Sequence, residues 1–216
     1  MEHINQHRRP HEVLNEERSF MKYVLLSIVT LGIYSIFFYA SVGRDINTIA
    51  TKYDLKRTMN YYAIAVPLVA LSFLLAVIGV LTVPTDSELM NMSSQDAFSF
   101  QVWMVVMLGF IIAVLVFVVC SFVWLYRVNK RIGNMLKFRQ LDYEFGVKDF
   151  WLWYMFVPIL FSIPAEFVSG LPSFMLYALS FVGPGVYAFK LIKSMNMLSQ
   201  DHNMNFQAYE QSARFA

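Results

Sequence analysis

The chain has 216 residues, of which 57% are hydrophobic, 17% aromatic and only 15% charged, whereas soluble domains contain about a quarter charged residues. This composition excludes an ordinary soluble globular domain, because the apolar surface exceeds what one core of this size buries. The net charge of +2 is too small to indicate nucleic-acid binding, so we expect no nucleic-acid partner. Long apolar runs separated by charged stretches instead predict an all-α, polytopic membrane helical bundle.

Five apolar segments follow one another along the chain. A membrane-spanning helix needs about 20 apolar residues to cross roughly 30 Å of hydrocarbon. The segments that meet or approach this length lie near residues 21–43, 60–82, 100–126, 150–166 and 171–189. We expect the last four to be transmembrane helices. The predicted membrane domain covers residues 21–198, between an N-terminal tail of residues 1–20 and a C-terminal tail of residues 199–216.

The positions of lysine and arginine predict how these segments are oriented. The connections near residues 83–100 and 166–172 contain no basic residue, and every lysine and arginine lies at or beyond the other ends of the apolar segments. Basic connections stay on the cytoplasmic side of a membrane. We therefore expect both termini to be cytoplasmic.

Basic residues flank the first apolar segment on both sides, which predicts that this segment does not cross the membrane. It would form a re-entrant or interfacial hydrophobic hairpin, with a break at Gly32 between a short helix over about residues 21–31 and a second helix that runs through Gly43 into Arg44. Irregular backbone within a membrane needs its polar groups covered, so we expect other helices to pack over Gly32. The alternative is a full crossing with the N-terminus outside.

One spacing pattern occurs three times: an aromatic residue, an apolar residue eight positions later, a small or amide residue at the ninth, and another apolar residue at the eleventh. The members are Phe38, Ile46, Asn47 and Ile49; Trp124, Ile132, Gly133 and Met135; and Tyr187, Met195, Asn196 and Leu198. Each copy lies where an apolar helix meets a basic connection, so we interpret it as a helix that continues past the membrane interface. Three such extensions could pack into a small bundle. The alternative is chance, since any emerging membrane helix shows an aromatic residue and then a cation.

The stretch from Thr30 to Tyr34, continued by Arg44 to Asn47, resembles the bacterial membrane family described as domain of unknown function 4234. The opening of that family is an apolar run, then threonine, glycine and tyrosine, then an aromatic and an arginine-rich end. Leu198, Gln200 and Asn203 resemble its closing pattern, while Gly133 stands where an asparagine is expected. The resemblance implies a bacterial inner-membrane location and no activity.

Two sets of residues are candidates for interfacial and packing roles. Cations and tryptophans at segment ends predict anchoring to lipid or to the membrane interface; they are Arg44, Trp124, Arg127, Lys130, Arg131, Trp151, Trp153, Lys190 and Lys193. Small or helix-breaking residues predict breaks and close helix packing; they are Gly32, Tyr34, Ser72, Ala76, Gly109, Ala113, Gly183, Pro184 and Gly185. The small residues of the second and third segments either join these two helices within one chain or support a homo-oligomer.

Histidine and glutamate provide weaker candidates. His3, His7 and His11 are four residues apart, a spacing that can hold a metal on one helix face, but Pro10 interrupts such a helix and we expect no metal site. We expect His202 to be solvated. Glu166 is a possible intramembrane site, although its place at the predicted outer turn favours a solvated carboxylate.

We find no phosphate-binding glycine loop, no nucleophile with a nearby base and no convergent carboxylates, so we expect neither an enzyme nor a cofactor. The composition and topology favour a non-enzymatic interaction or scaffold subunit for a partner protein or lipid, within a homo-oligomer or a larger membrane complex. The alternative is a small-solute transporter or channel that uses broken helices near Gly32 and Gly183.

Overall fold

The computed structural model describes residues 13–30, 32–50, 58–82 and 94–214, with side chains from residue 100 to residue 205 in the last range. Within these ranges every regular element is helical. The chain divides into two compact units, described separately below. Unit 1 is Met1–Thr58 together with Tyr126–Ala216, and unit 2 is Met59–Leu125.

Unit 1 begins with a hairpin of two helices, α1 (Phe20–Val29) and α2 (Ile33–Ala50). The side chain of Ser19 starts α1 by accepting a hydrogen bond from the backbone N–H of Lys22 at 3.3 Å, which satisfies one free donor of the first turn. Between the helices, Gly32 has a φ of +89°, a conformation that glycine adopts without steric cost.

The turn at Gly32 satisfies its own polar groups. The Thr30 hydroxyl donates to the Leu26 carbonyl (2.7 Å) and accepts from the Tyr34 backbone N–H (2.9 Å), and the Ser35 hydroxyl donates to the Gly32 carbonyl (2.5 Å). A Cβ placed on Gly32 would meet no described atom within 4 Å. The expectation that other helices pack over Gly32 is therefore wrong, because local hydroxyl groups do the covering instead.

Unit 2 contains α3 (Tyr61–Leu81) and the first part of α4 (Ser94–Phe138). A Cβ on Gly79 would lie 3.4 Å from the Met107 sulfur, and one on Gly109 would lie 3.7 Å from Leu75. Ala113 is buried. These small residues therefore bring α3 and α4 together within one chain.

The other two small residues predicted for this contact lie on α3. Ala76 is partly exposed, and the Ser72 hydroxyl donates to the Leu68 carbonyl of its own helix at 2.8 Å.

The second part of unit 1 contains the end of α4 and the five elements that follow it. After Phe138 come α5 (Val147–Asp149), a π-helix (Phe150–Phe156), α6 (Val157–Ala165), α7 (Leu171–Ser180) and α8 (Val182–Arg214). Gly170, with a φ of +72°, precedes α7. The three-residue α5, the π-helix and α6 follow one another without a gap and form one continuous helical segment.

The π-helix has an identifiable cause in Pro158. Proline lacks an N–H, and its ring would clash with the carbonyl group four residues earlier in an α-helix. The preceding turn is widened, and the N–H of Val157 bonds to the carbonyl of Leu152, five residues back. The same region lies against α8, where a Cβ on Gly183 would be 2.3 Å from the Trp153 carbonyl oxygen.

Three described helices are long and apolar enough to cross a membrane: Tyr61–Leu81, Phe100–Phe138 and Leu171–Asn205. They correspond to the predicted segments 60–82, 100–126 and 171–189 and indicate a membrane protein. The last comprises α7 and most of α8. The predicted segments 21–43 and 150–166 are built from shorter pieces, which are the α1–α2 hairpin and the π-helix followed by α6.

Candidate functional site

The sequence pattern that occurs three times forms the buried face of three helices. These helices are α2, the end of α4 and α8, which we call exit helices. Every aromatic and apolar member of the pattern is buried: Phe38, Ile46 and Ile49; Trp124, Ile132 and Met135; and Tyr187, Met195 and Leu198. Such burial in all three copies is expected for packed helices and not for a chance spacing.

The structural repeat extends further than the sequence pattern indicated. Positions four, five and twelve residues after each aromatic are also buried in all three copies. These residues are Val42, Gly43 and Ala50; Val128, Asn129 and Leu136; and Leu191, Ile192 and Ser199. Three regions of the chain therefore share the same arrangement of buried positions. They are about residues 14–50, 58–138 and 143–203, and we call them repeats 1, 2 and 3.

The first residue of each pattern packs against an aromatic residue near the start of the same repeat. The ring centroids are 4.6 Å apart for Phe38 and Tyr23, 4.6 Å for Trp124 and Tyr61, and 5.1 Å for Tyr187 and Tyr154. Trp124 is only 3% exposed, and its indole N–H donates to the Met59 carbonyl at 2.8 Å. The prediction that Trp124 anchors the chain to lipid is therefore wrong, because its ring is part of the core.

A short stretch precedes the first helix of each repeat, near residues 14–18, 58–60 and 143–146. We call these stretches lead segments, and asparagine side chains hold two of them. The Asn47 amide accepts from the Thr58 backbone N–H (2.7 Å) and donates to the Thr58 carbonyl (2.9 Å). Asn196 makes the same two bonds with the backbone of Arg18, each at 3.0 Å. A primary amide carries both donors and an acceptor, so it can satisfy both polar groups of one backbone residue.

A third asparagine, Asn203, also bonds to the backbone of the first lead segment. Asn203, two helical turns beyond Asn196, accepts from the Leu14 N–H (3.0 Å) and donates to the Leu14 carbonyl (2.8 Å). The Ser199 hydroxyl lies between them and contacts the Arg18 guanidinium at 3.2 Å. Residues 14–18 are thus fixed along α8 although they have no regular structure of their own.

Glycine replaces asparagine in repeat 2 for a steric reason. A Cβ on Gly133 would lie 2.8 Å from the carbonyl oxygen of Phe145 and 3.3 Å from the Cα of Gly146, so this lead segment lies directly on the helix. Repeat 1 therefore holds the lead segment of repeat 2, repeat 2 holds that of repeat 3, and repeat 3 holds that of repeat 1. The contacts form a closed circuit within unit 1.

Four charged contacts reinforce this circuit. Arg18 pairs with Asp45, and both side chains are more than nine-tenths buried. Arg139 pairs with Asp201, and Lys190 pairs with Asp149 at 2.5 Å. The fourth contact is made by Arg131, which donates to the side chains of Asn47 and Thr58. Asp45 also lies 3.5 Å from the exposed Arg44 guanidinium.

Burial has opposite effects on the two members of the Arg18–Asp45 pair. Desolvation raises the pKa of the Asp45 carboxyl, although the charges of Arg18 and Arg44 act in the other direction. It also lowers the pKa of the Arg18 guanidinium. The pair therefore depends on its mutual contact, because each charge would be costly at this place alone.

Two of the cations predicted to anchor the chain to lipid therefore have internal roles. Arg131 and Lys190 hold neighbouring segments of unit 1 through the contacts described above. By contrast, one cation occupies the sixth position after the aromatic in each repeat and is exposed: Arg44, Lys130 and Lys193. The side chain of Arg44 is 67% exposed, and the Lys193 ammonium lies 4.7 Å from the centre of the Tyr143 ring. We call these three residues the repeated cations.

The remaining predicted anchors lie at or near the surface. Arg127 is exposed, Trp151 is 51% exposed and Trp153 is partly exposed. Of the predicted helix-breaking residues, Gly183 is a packing contact, Pro184 is partly exposed, and a Cβ on Gly185 would meet nothing within 4 Å.

The predictions for Glu166 and for the histidines have different outcomes. Glu166 is exposed at the end of α6 and accepts a hydrogen bond from the Tyr177 hydroxyl at 2.5 Å. The prediction that His202 is solvated is wrong, since it is only 5% exposed within the packed face of α8. The N-terminal histidines His3, His7 and His11 lie outside the described residues.

Sequence reasoning missed the role of the asparagines and of the Arg18–Asp45 pair. The amides at the ninth position of repeats 1 and 3 were visible as part of the pattern, but their partners are 11 and 178 residues away. A signal was present in the charges: Asp45 stands between a repeated cation, Arg44, and Ile46, a buried apolar member of the pattern.

The family match covers most of the first two repeats. The family described as Domain of unknown function (DUF4234) matches residues 18–134, which is more than half of the chain. The match begins in the first lead segment and ends one residue after Gly133, so that it leaves out the C-terminal residues Leu198, Gln200 and Asn203. No curated protein and no solved structure matches the chain. The chain belongs to the family described as Domain of unknown function (DUF4234).

Proposed function

We propose that the protein is a non-enzymatic scaffold of the bacterial inner membrane that binds anionic phospholipid through its repeated cations. One observation carries the proposal: the same register position in all three repeats holds an exposed cation, Arg44, Lys130 or Lys193. Lysine and arginine at the end of an apolar helix extend their charge to the lipid phosphates. Three equivalent places would therefore attract negatively charged headgroups.

The proposed topology places the repeated cations at one membrane face. Arg18 and Asp45 are in contact, so both ends of the α1–α2 hairpin lie together. With 10 residues, α1 is about 15 Å long, half of what a crossing needs. We infer that the hairpin enters and leaves from the cytoplasmic face, and that four crossings follow: α3, α4, the π-helix with α6, and α7 with α8.

The use of the other charges supports a scaffold more than a transporter. Arg18, Arg131, Arg139 and Lys190 hold lead segments and helices in place, whereas the repeated cations have exposed side chains that can also contact groups outside the chain. The break near Gly183 is filled by the Trp153 carbonyl, whereas a transport site needs its broken helices to line a cavity.

A pair of lysines on one helix provides the test. In bilayers that mix phosphatidylglycerol and phosphatidylcholine, we expect spin-labelled phosphatidylglycerol to be enriched beside the wild-type protein. A cation near the surface contributes about 1 kcal/mol, so Lys130→Gln should lower the relative association constant of phosphatidylglycerol by up to about fivefold. Electron spin resonance of the motionally restricted lipid measures this constant.

Lys137→Gln is the matched control. Lys137 is also exposed on α4 and has the same charge, but it lies seven residues beyond Lys130, about 10 Å along the helix. That separation is about one Debye length at physiological ionic strength, so the control should change the constant little. Equal effects of the two substitutions, or no phosphatidylglycerol enrichment beside the wild type, would contradict the proposal.

A further inference from the structure

An open groove follows the outer face of the π-helix. It has a volume of about 600 Å³ and is lined by Val147, Lys148, Trp151, Leu152, Met155, Phe156 and Ile159. Two rows of side chains at four-residue spacing flank it: Lys148, Leu152 and Phe156 form one row, and Trp151, Met155 and Ile159 form the other. Rows of this spacing form ridges on a helix, and the space between two ridges is a furrow along the axis.

The groove has two chemically different ends. Leu152, Phe156 and Ile159 are 47%, 57% and 51% exposed, so the long part of the furrow is an uncovered apolar surface. Lys148 lies at the other end and is exposed. Its neighbour Asp149 is already paired with Lys190 at 2.5 Å, and no described residue forms an ion pair with Lys148 within 4 Å.

We propose that this groove holds one acyl chain of an anionic phospholipid, with the lipid phosphate at Lys148. The inference rests on the proposed function, since it names one seat for the lipid that the repeated cations attract. An apolar furrow that ends at a cation is complementary to an amphiphile with a negatively charged head. The position of Trp151, three residues after Lys148, supports placing this end of the groove at the lipid headgroups, because tryptophan is enriched at that level of a membrane.

Fluorescence quenching by brominated acyl chains tests the seat, because bromine quenches only tryptophans that it contacts. The full-length protein is placed in phosphatidylcholine bilayers that contain a small fraction of dibrominated phosphatidylglycerol or dibrominated phosphatidylcholine. The difference between the wild type and Trp151→Phe isolates the signal of Trp151. We expect Trp151 to be quenched at about fivefold lower mole fraction of the anionic lipid, which corresponds to about 1 kcal/mol for one cation at the surface.

Two lysine variants complete the experiment. Lys148→Gln should remove the preference of Trp151 for the anionic lipid, whereas Lys137→Gln, the control on α4, should leave it intact. Equal quenching of Trp151 by both brominated lipids in the wild type would overturn the seat, and so would an unchanged preference in Lys148→Gln. If neither lipid quenches Trp151, another protein surface covers the groove and the inference is wrong.

The spin-label measurement separates this failure from that of the proposed function. Phosphatidylglycerol enrichment that depends on Lys130, without any preference at Trp151, would overturn the seat and leave the proposed function in place. If the wild type shows neither phosphatidylglycerol enrichment nor a lipid preference at Trp151, both the seat and the proposed function are wrong.

Discussion

The Gly183→Ala substitution is expected to destabilise the protein by roughly 3 kcal/mol, the upper end of the usual cost of overpacking. The added Cβ would lie 2.3 Å from the Trp153 carbonyl oxygen and 3.0 Å from side-chain atoms of Val157 and Pro158. A backbone carbonyl in a π-helix cannot move aside as the end of a flexible side chain can. Thermal unfolding of the detergent-solubilised protein should show a lower midpoint, by about 6–12 °C for a chain of this size.

Gly185→Ala is the control for this substitution. Gly185 lies two residues further along α8, and a Cβ there would meet nothing within 4 Å. Alanine favours a helix interior over glycine by about 1 kcal/mol, so this variant should unfold at the same or a higher temperature. If both alanine variants behave alike, the close approach of Gly183 to the π-helix is wrong.

Removal of one member of the buried Arg18–Asp45 pair is expected to cost about 3–5 kcal/mol. The side chains are 7% and 6% exposed, so Asp45→Asn would leave the Arg18 guanidinium buried without its counter-charge. Arg18→Met would leave the buried Asp45 carboxylate with only the exposed Arg44 as a counter-charge. Either variant should release the first lead segment from α8, which limited proteolysis before Phe20 would detect together with a lower unfolding midpoint.

The double variant and an adjacent arginine give the controls. Replacing both charges, as Arg18→Met with Asp45→Leu, should recover much of the stability lost in each single variant, because no buried charge is left unpaired. Arg44→Met should reduce stability less than either single variant, since the Arg44 side chain is 67% exposed and 3.5 Å from Asp45, so that solvent screens its charge. Additive losses in the double variant would show that the two side chains do not interact.

The helical hairpin at the N-terminus was predictable from the sequence. The side chains that satisfy the polar groups of its turn were not. The charges on both flanks and the Gly32 break follow from composition and the backbone freedom of glycine. The hydroxyl groups of Thr30 and Ser35, however, satisfy the turn through bonds whose geometry is set only in the folded chain. Sequence reasoning therefore assigned to neighbouring helices a role that two local side chains fulfil.

The candidate site was predictable where it depends on periodicity. The positions of the apolar residues in the three repeats follow from helical spacing, and the same spacing places Arg44, Lys130 and Lys193 at equivalent points. The asparagine contacts could not be derived, because an amide that bonds to a distant backbone looks like any solvated amide. Gly133 appeared to be a departure from the pattern, although it brings the next lead segment against its helix.

The segment near residues 150–166 shows a second limit of sequence reasoning. In the sequence, Pro158 and Pro164 indicate only that a regular α-helix is interrupted there. The structure widens the turn before Pro158 into a π-helix, which moves the Trp153 carbonyl towards α8. A proline in the sequence indicates the missing donor, but neighbouring helices decide how the chain accommodates it.

In the proposed topology, the lead segment of repeat 1 and the exit helices of repeats 2 and 3 share one side of the membrane. With Cys120 replaced by serine, single cysteines at Glu17, Asn134 and Gln200, all exposed, should react with a membrane-impermeant maleimide in inside-out membrane vesicles only. A cysteine at the exposed Ser169 should react in right-side-out vesicles only. Labelling of the Glu17→Cys variant from the side opposite to Gln200→Cys would contradict the closed circuit of repeats.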